Sequence, residues 1–325
     1  MPRLLLGCIE EVDAIDRVFS GFRASHPQMV RDCYAFLDRT DARLLENLRA
    51  IERRYPLAIK WLIDSLGVWF PMEYYQQIPV IYPYIVRDPT CRQNRKGRPE
   101  RYCSPNEAAL MRADNTPIKQ LVEGRRVVSA AEWYRGQMRR GFVASHAWRV
   151  PSDFAQSRVL ASRDPWLNTF GAHLCWLPAT MSRLTDSEGS FAQVYLQKMA
   201  RKFFAGVRFE DTRLTDFING LVWRNLPDNK LPVDVDIAEY NEVAKFEMRP
   251  DDALMRYKDL HEVINVLNNA VNGVDLTRAA VHHRYTGVAL RETSSSLAMN
   301  NLRERLESYL SLLPQCDCVI RNARI

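Results

Sequence analysis

The stretch GFVASHAWRVPSDFAQSRVLASRDPWLNTFGAHLCWLPATMSRLTDSEGSFAQVYLQK, residues 141–198, decides how the chain is read. It opens with apolar, β-prone residues around His146 and then crosses a polar loop carrying Asp153, Asp164 and Asn168. An apolar segment runs from His173 to Pro178, and a second polar turn, Ser182 to Gly189, leads into a helix-like run from Phe191. Short apolar runs bounded by turn residues read as strands, and longer runs with one apolar face read as helices. The expected order is strand, loop, strand, helix, with a histidine on the first strand and another, His173, at the head of the second.

Outward from that unit the chain reads as helical. Ile9, Val12, Ile15, Val18, Phe19 and Phe22 recur at helical spacing, as do Leu44, Leu45, Leu48 and Ile51 after a Thr40 or Asp41 cap. Pro56 separates these from a helix through Trp61, Leu62, Leu66 and Trp69. Residues 70–89 are aromatic and broken by prolines, which reads as an extended connector or edge strand. Tyr74, Tyr75, Tyr82 and Tyr84 there are read as packing residues in preference to base-stacking ones. Beyond Lys198, Asp251 or Asp252 caps a run through Leu254, Tyr257, Leu260, Ile264, Leu267 and Val271, stopped by Gly273. Another joins Leu302, Leu306, Tyr309, Leu310 and Leu313. These amphipathic helices either pack on the N-terminal ones or offer a face to a second copy or partner subunit. The expected fold is α+β and mainly helical, with residues 1–89 a helical region and connector, 90–206 a basic loop and the strand–loop–strand–helix unit, and 207–325 a helical region.

A chain of 325 residues can bury a full core, and its apolar and charged fractions, 46% and 26%, are those of an ordinary globular protein. It has no run of eighteen apolar residues, which excludes a conventional membrane-spanning helix, and the apolar block after Met1 is too short for a signal peptide. The expected location is cytoplasmic. Seven scattered cysteines do not form a disulfide framework, and Cys316 and Cys318 lack a second paired cluster to complete a soft-metal site.

The net charge is +6, and it is concentrated: residues 92–149 hold thirteen Lys/Arg against five Asp/Glu, a local +8 that leaves −2 for the remainder. Such clustering suits a polyanion, since each neutralised phosphate releases counterions. Within it, residues 92–101 form a loop without apolar side chains, where Arg95, Lys96, Arg98 and Arg101 are the foremost candidates for phosphate contact. Arg139, Arg140 and Arg149 flank the His146 strand. The competing reading of residues 133–140 is a solvated helix face.

The 141–198 unit resembles the ββα-metal, or HNH, endonuclease family over about sixty residues. Gly141 to Arg149 is similar to the family's small or apolar residues leading into the histidine. Phe170-Gly171-Ala172-His173-Leu174 is similar to its apolar-Gly-x-Asn-Leu segment, and Asp186 and Gly189 match an Asp and Gly that commonly follow. The resemblance implies metal-dependent hydrolysis of DNA, Mg²⁺ being the expected ion, with a role in restriction or defence. It makes His146 the general base that activates water, and puts His173 where an Asn pins the loop. It places Ser182 at a metal-ligand position, where a hydroxyl is a weak ligand for a hard cation, and Ser145 where some members carry an Asp ligand. Asp164, Asn168 and Asp186 are the oxygen donors expected to complete the site. The alternative function is a non-catalytic nucleic-acid-binding or scaffold subunit with a degenerate site. A nuclease site of another type, from Asp234, Asp236, Glu242 and Lys245, has the wrong Glu-to-Lys spacing.

Overall fold

Pro56 opens a helix because its missing N–H is one the first turn leaves unbonded anyway. That helix belongs to a computed structural model that describes residues 8–9, 56–87, 111–113, 116–128, 136–138, 142–149, 161–185, 189–273 and 296–314. Ile9, which heads the first expected helical run, lies instead in a short strand. The rest of that run, the expected helix over 44–51, the basic loop over 92–101, Asp153, Arg139, Arg140, Asp186, and Cys316 and Cys318 lie outside the described residues.

In chain order the elements are β1 (Cys8–Ile9), α1 (Pro56–Leu66), β2 (Val68–Trp69), α2 (Met72–Gln77), β3 (Ile85–Arg87) and β4 (Met111–Ala113). Next come α3 (Thr116–Val122), β5 (Arg126–Val128), β6 (Gly136–Met138), β7 (Phe142–His146) and β8 (Leu174–Pro178). The chain continues through α4 (Phe191–Phe204), α5 (Thr212–Phe217), β9 (Ala244–Phe246), α6 (Asp252–Val271) and α7 (Ser296–Leu312). One-turn helices occupy Pro165–Asn168 and Ala179–Ser182. The described residues thus form a mixed α+β fold in which helices predominate. No helix among them is long and apolar enough to cross a membrane.

Three further readings are corrected. The helix through Trp61 and Leu66 stops at Leu66, and Trp69 lies in β2. Residues 72–77 are helical, not extended, because Pro71 supplies a β-region N-cap and Pro79 follows the helix end: the prolines delimit a helix there. Gly136–Met138, inside the stretch whose competing reading is a solvated helix face, is a strand that pairs parallel to β1 and antiparallel to β5. The tyrosines behave as expected, with Tyr74, Tyr75 and Tyr84 fully buried.

The strands form a seven-stranded mixed sheet in the order β1-β6-β5-β9-β2-β8-β7 and a two-stranded sheet of β3 and β4. β2 lies between β8, antiparallel, and β9, parallel, so residues far apart in sequence meet at the sheet centre. One hydrophobic cluster extends from Ile59 on α1 to Leu313 just past α7. Its middle is aromatic: Trp69 meets Phe203 edge-on at 5.1 Å, Phe70 meets Phe246 at 5.6 Å, and Trp176 meets Phe246 at 5.4 Å. Such pairs add about 0.5–1.5 kcal/mol each beyond the area they bury. α4 is amphipathic, and Ser190 caps it by accepting the Gln193 N–H.

Candidate functional site

The expected strand–loop–strand–helix order is present as β7, the 147–173 connection, β8 and α4. β7 and β8 pair antiparallel along their full lengths, from Phe142 opposite Pro178 to His146 opposite Leu174. His146 therefore stands at the end of its strand beside the entry to the next, and alternation sends Ser145, opposite Cys175, to the other side of the sheet. The Ser145 hydroxyl is buried there without a hydrogen-bond partner.

The loop is brought to His146 by a cap. Asp164 accepts the N–H groups of Trp166 at 2.7 Å and Leu167 at 3.1 Å, closing the turn Pro165–Asn168, and burial raises its pKa against those two bonds. That turn presents the Asn168 carbonyl 3.2 Å from His146 Nε2. A carbonyl oxygen can only accept, so the proton of the neutral ring is assigned to Nε2 and Nδ1 keeps its lone pair. Burial, then the charges of His173 and Arg87, hold the His146 pKa well below 6.5, so the ring is neutral near pH 7. The residue nonetheless keeps some exposure to solvent.

His173 is fully buried, its ring edge-on to His146 at 5.0 Å. Its Nδ1 lies 2.9 Å from Leu167 O, and its Nε2 lies 2.7 Å from Trp148 O and 3.2 Å from Trp148 N. Both nitrogens are thus committed to the backbone on either side of the cluster, which makes His173 a clamp between the end of β7 and the loop. Asn168, also buried, donates from Nδ2 to Ile85 O at 3.0 Å and leaves Oδ1 without a hydrogen-bond partner. Gly171 is required between them, since a Cβ there would sit 2.7 Å from two Phe70 ring carbons.

The expected site residues therefore divide. His146, His173 and Asn168 meet at one end of the β7–β8 hairpin, and Asp164 is tied to them only through the turn it caps. Arg149 is exposed three residues past His146, its carbonyl accepting the Ala161 N–H. The turn that ends with Ser182 starts from the opposite end of the hairpin, after Pro178, and the Ser182 side chain lies outside the described residues. Asp186, Arg95, Lys96, Arg98, Arg101, Arg139 and Arg140 lie outside them as well.

Among the described residues no group of three His, Cys, Asp or Glu side chains converges. The cluster offers the Asn168 Oδ1, a neutral donor, while the nearest carboxylate in sequence, Asp164, is turned to its own cap, its Oδ1 accepting two N–H bonds. Hard cations take several oxygens, including carboxylates, so the described set does not fit Mg²⁺. Asp234 and Asp236 are exposed on an irregular segment and join no such group.

Two contributors have no signal in the local sequence. Arg87, at the end of β3, is close enough to His146 for its charge to depress that pKa. Gln197 of α4, 1% exposed, donates to the carbonyl of Ala147 at 3.0 Å and so holds the residue following His146. Compared with known proteins, the chain matches no family model, and neither a curated protein nor a solved structure is significantly similar to it.

Proposed function

We infer that the chain is an endonuclease of the HNH type that hydrolyses phosphodiester bonds in DNA, with His146 as general base. The observation that carries this reading is His146 itself: a neutral ring at a partly exposed strand end whose Nε2–H donates to the Asn168 carbonyl, which leaves the ring's lone pair on Nδ1. A group in that state can take a proton from water as the oxygen attacks phosphorus. A P–O bond forms, the bond to the leaving oxygen breaks, and that oxygen takes its proton from solvent. Arg87, whose charge is felt by His146, and the exposed Arg149 are proposed to meet the phosphate, and Arg95, Lys96, Arg98, Arg101, Arg139 and Arg140 to extend the basic surface for DNA. A divalent ion enters this reading only through the family resemblance and Asp186, since the described donors do not fit one.

That poor fit favours the second reading, a nucleic-acid-binding subunit without activity. Incubation of supercoiled plasmid with the chain in Mg²⁺, Mn²⁺ or EDTA separates the two. Nicking that EDTA stops supports the nuclease. Intact plasmid under all three conditions, with DNA still retarded on a gel, supports the binding subunit.

A further inference from the structure

The irregular segment from Leu226 to Tyr240 crosses the outer face of α4 and engages its three cations, Lys198, Arg201 and Lys202. Asp228 lies 2.7 Å from Lys198 Nζ and 3.4 Å from Arg201 Nε, and Arg201 also donates to the Leu226 carbonyl. Glu239 lies 2.5 Å from Lys202 Nζ, which donates to the Ile237 carbonyl as well. The acids form the outer layer: Asp228 and Glu239 are each 61% exposed, against 27%, 23% and 36% for the cations beneath. This face adjoins the His146 cluster. Gln197 accepts from Asn229 Nδ2 at 2.9 Å while donating to Ala147 O, and the Arg201 guanidinium lies over the Trp148 ring at 5.8 Å.

We propose that this face of α4 is a contact surface for a nucleic-acid backbone, and that the 226–240 strap is an acidic cover which phosphates displace. The proposal rests on the nucleic-acid reading above. A phosphodiester presents to ammonium and guanidinium groups the same kind of charged oxygen that a carboxylate does. Solvent-exposed ion pairs are close to break-even in water, so trading one for a phosphate costs little, and the trade releases counterions from the nucleic acid. Only the Asp228 and Glu239 carboxylates swing aside: the strap itself stays attached, with Leu226 and Val243 buried at its ends and Leu231, Val235, Ile237 and Tyr240 packed on the core along it.

The test measures binding of a mixed-sequence DNA duplex by fluorescence anisotropy at several salt concentrations. Lys198→Gln with Lys202→Gln should weaken binding roughly tenfold and flatten the slope of log affinity against log salt by about two. Asp228→Asn with Glu239→Gln should tighten it by a few-fold more than Asp234→Asn with Asp236→Asn, a control that removes the same charge elsewhere on the strap. Since the cover variant gains affinity, misfolding cannot mimic the result. Parent-like affinity and slope in the lysine variant, or a cover variant no tighter than its control, overturns the proposal while leaving the nuclease reading intact. A parent chain that binds no DNA overturns both.

Discussion

At the scale of residues, His173 shows which of two opposed effects wins. Carbonyl oxygens at both ring nitrogens favour the imidazolium, yet burial outweighs them and lowers its pKa from 6.5 to about 4. The unfolded chain therefore binds a proton between those values that the folded chain refuses. The stabilisation is complete above pH 6.5 and is lost as pH falls toward 4, at about 1.4 kcal/mol per unit and up to ~3 kcal/mol in all. Melting at pH 7 and pH 4.5 should show a larger loss for the parent than for His173→Asn; equal losses would show that His173 does not carry the effect. Sequence reasoning reached His146, Asn168 and His173 because all three fall within one local unit whose spacing is readable. Arg87 and Gln197 escaped it because their roles arise only when β3 and α4 are brought against β7, and nothing in their own neighbourhoods marks them.

At the scale of elements, the turn Pro165–Asn168 is what delivers a carbonyl to His146, and Asp164 is what closes it. Asp164→Ala should cost about 1 kcal/mol of stability and lower cleavage, whereas Asp164→Ser, which can still cap, should retain most of both. A serine variant that folds like the parent but has lost all cleavage would assign Asp164 to the chemistry instead. Gly171→Ala should cost about 1–3 kcal/mol, because the Phe70 ring it meets is packed on Tyr74 and Phe246 and has little room to yield. An unchanged melting temperature would contradict that packing. The β7–β8 pair and the helices α4, α6 and α7 were legible because their periodic runs are long enough to count. Strands β2, β6 and β9 were not: two or three residues carry no alternation, and their pairing is decided by tertiary contact. The prolines around residues 71–79 signal a break in structure to a local reading, whereas in the fold they mark the limits of α2.

At the scale of the whole molecule, the sheet centre joins β2, β8 and β9 from three distant parts of the sequence, which no local pattern encodes. The charge asymmetry, by contrast, was visible at once, and it yields a prediction for residues outside the described fold. Removing Arg95, Lys96 and Arg98 together should weaken DNA binding for all sequences alike and reduce the salt slope by roughly two to three; an unchanged slope takes the loop out of the interface. The central claim is that His146 acts in chemistry and not in affinity, and the most direct measurement is plasmid cleavage and DNA binding recorded side by side for the parent and His146→Ala. The expected result is cleavage abolished with binding held within a few-fold. A His146→Ala chain that cuts at the parent rate would contradict it.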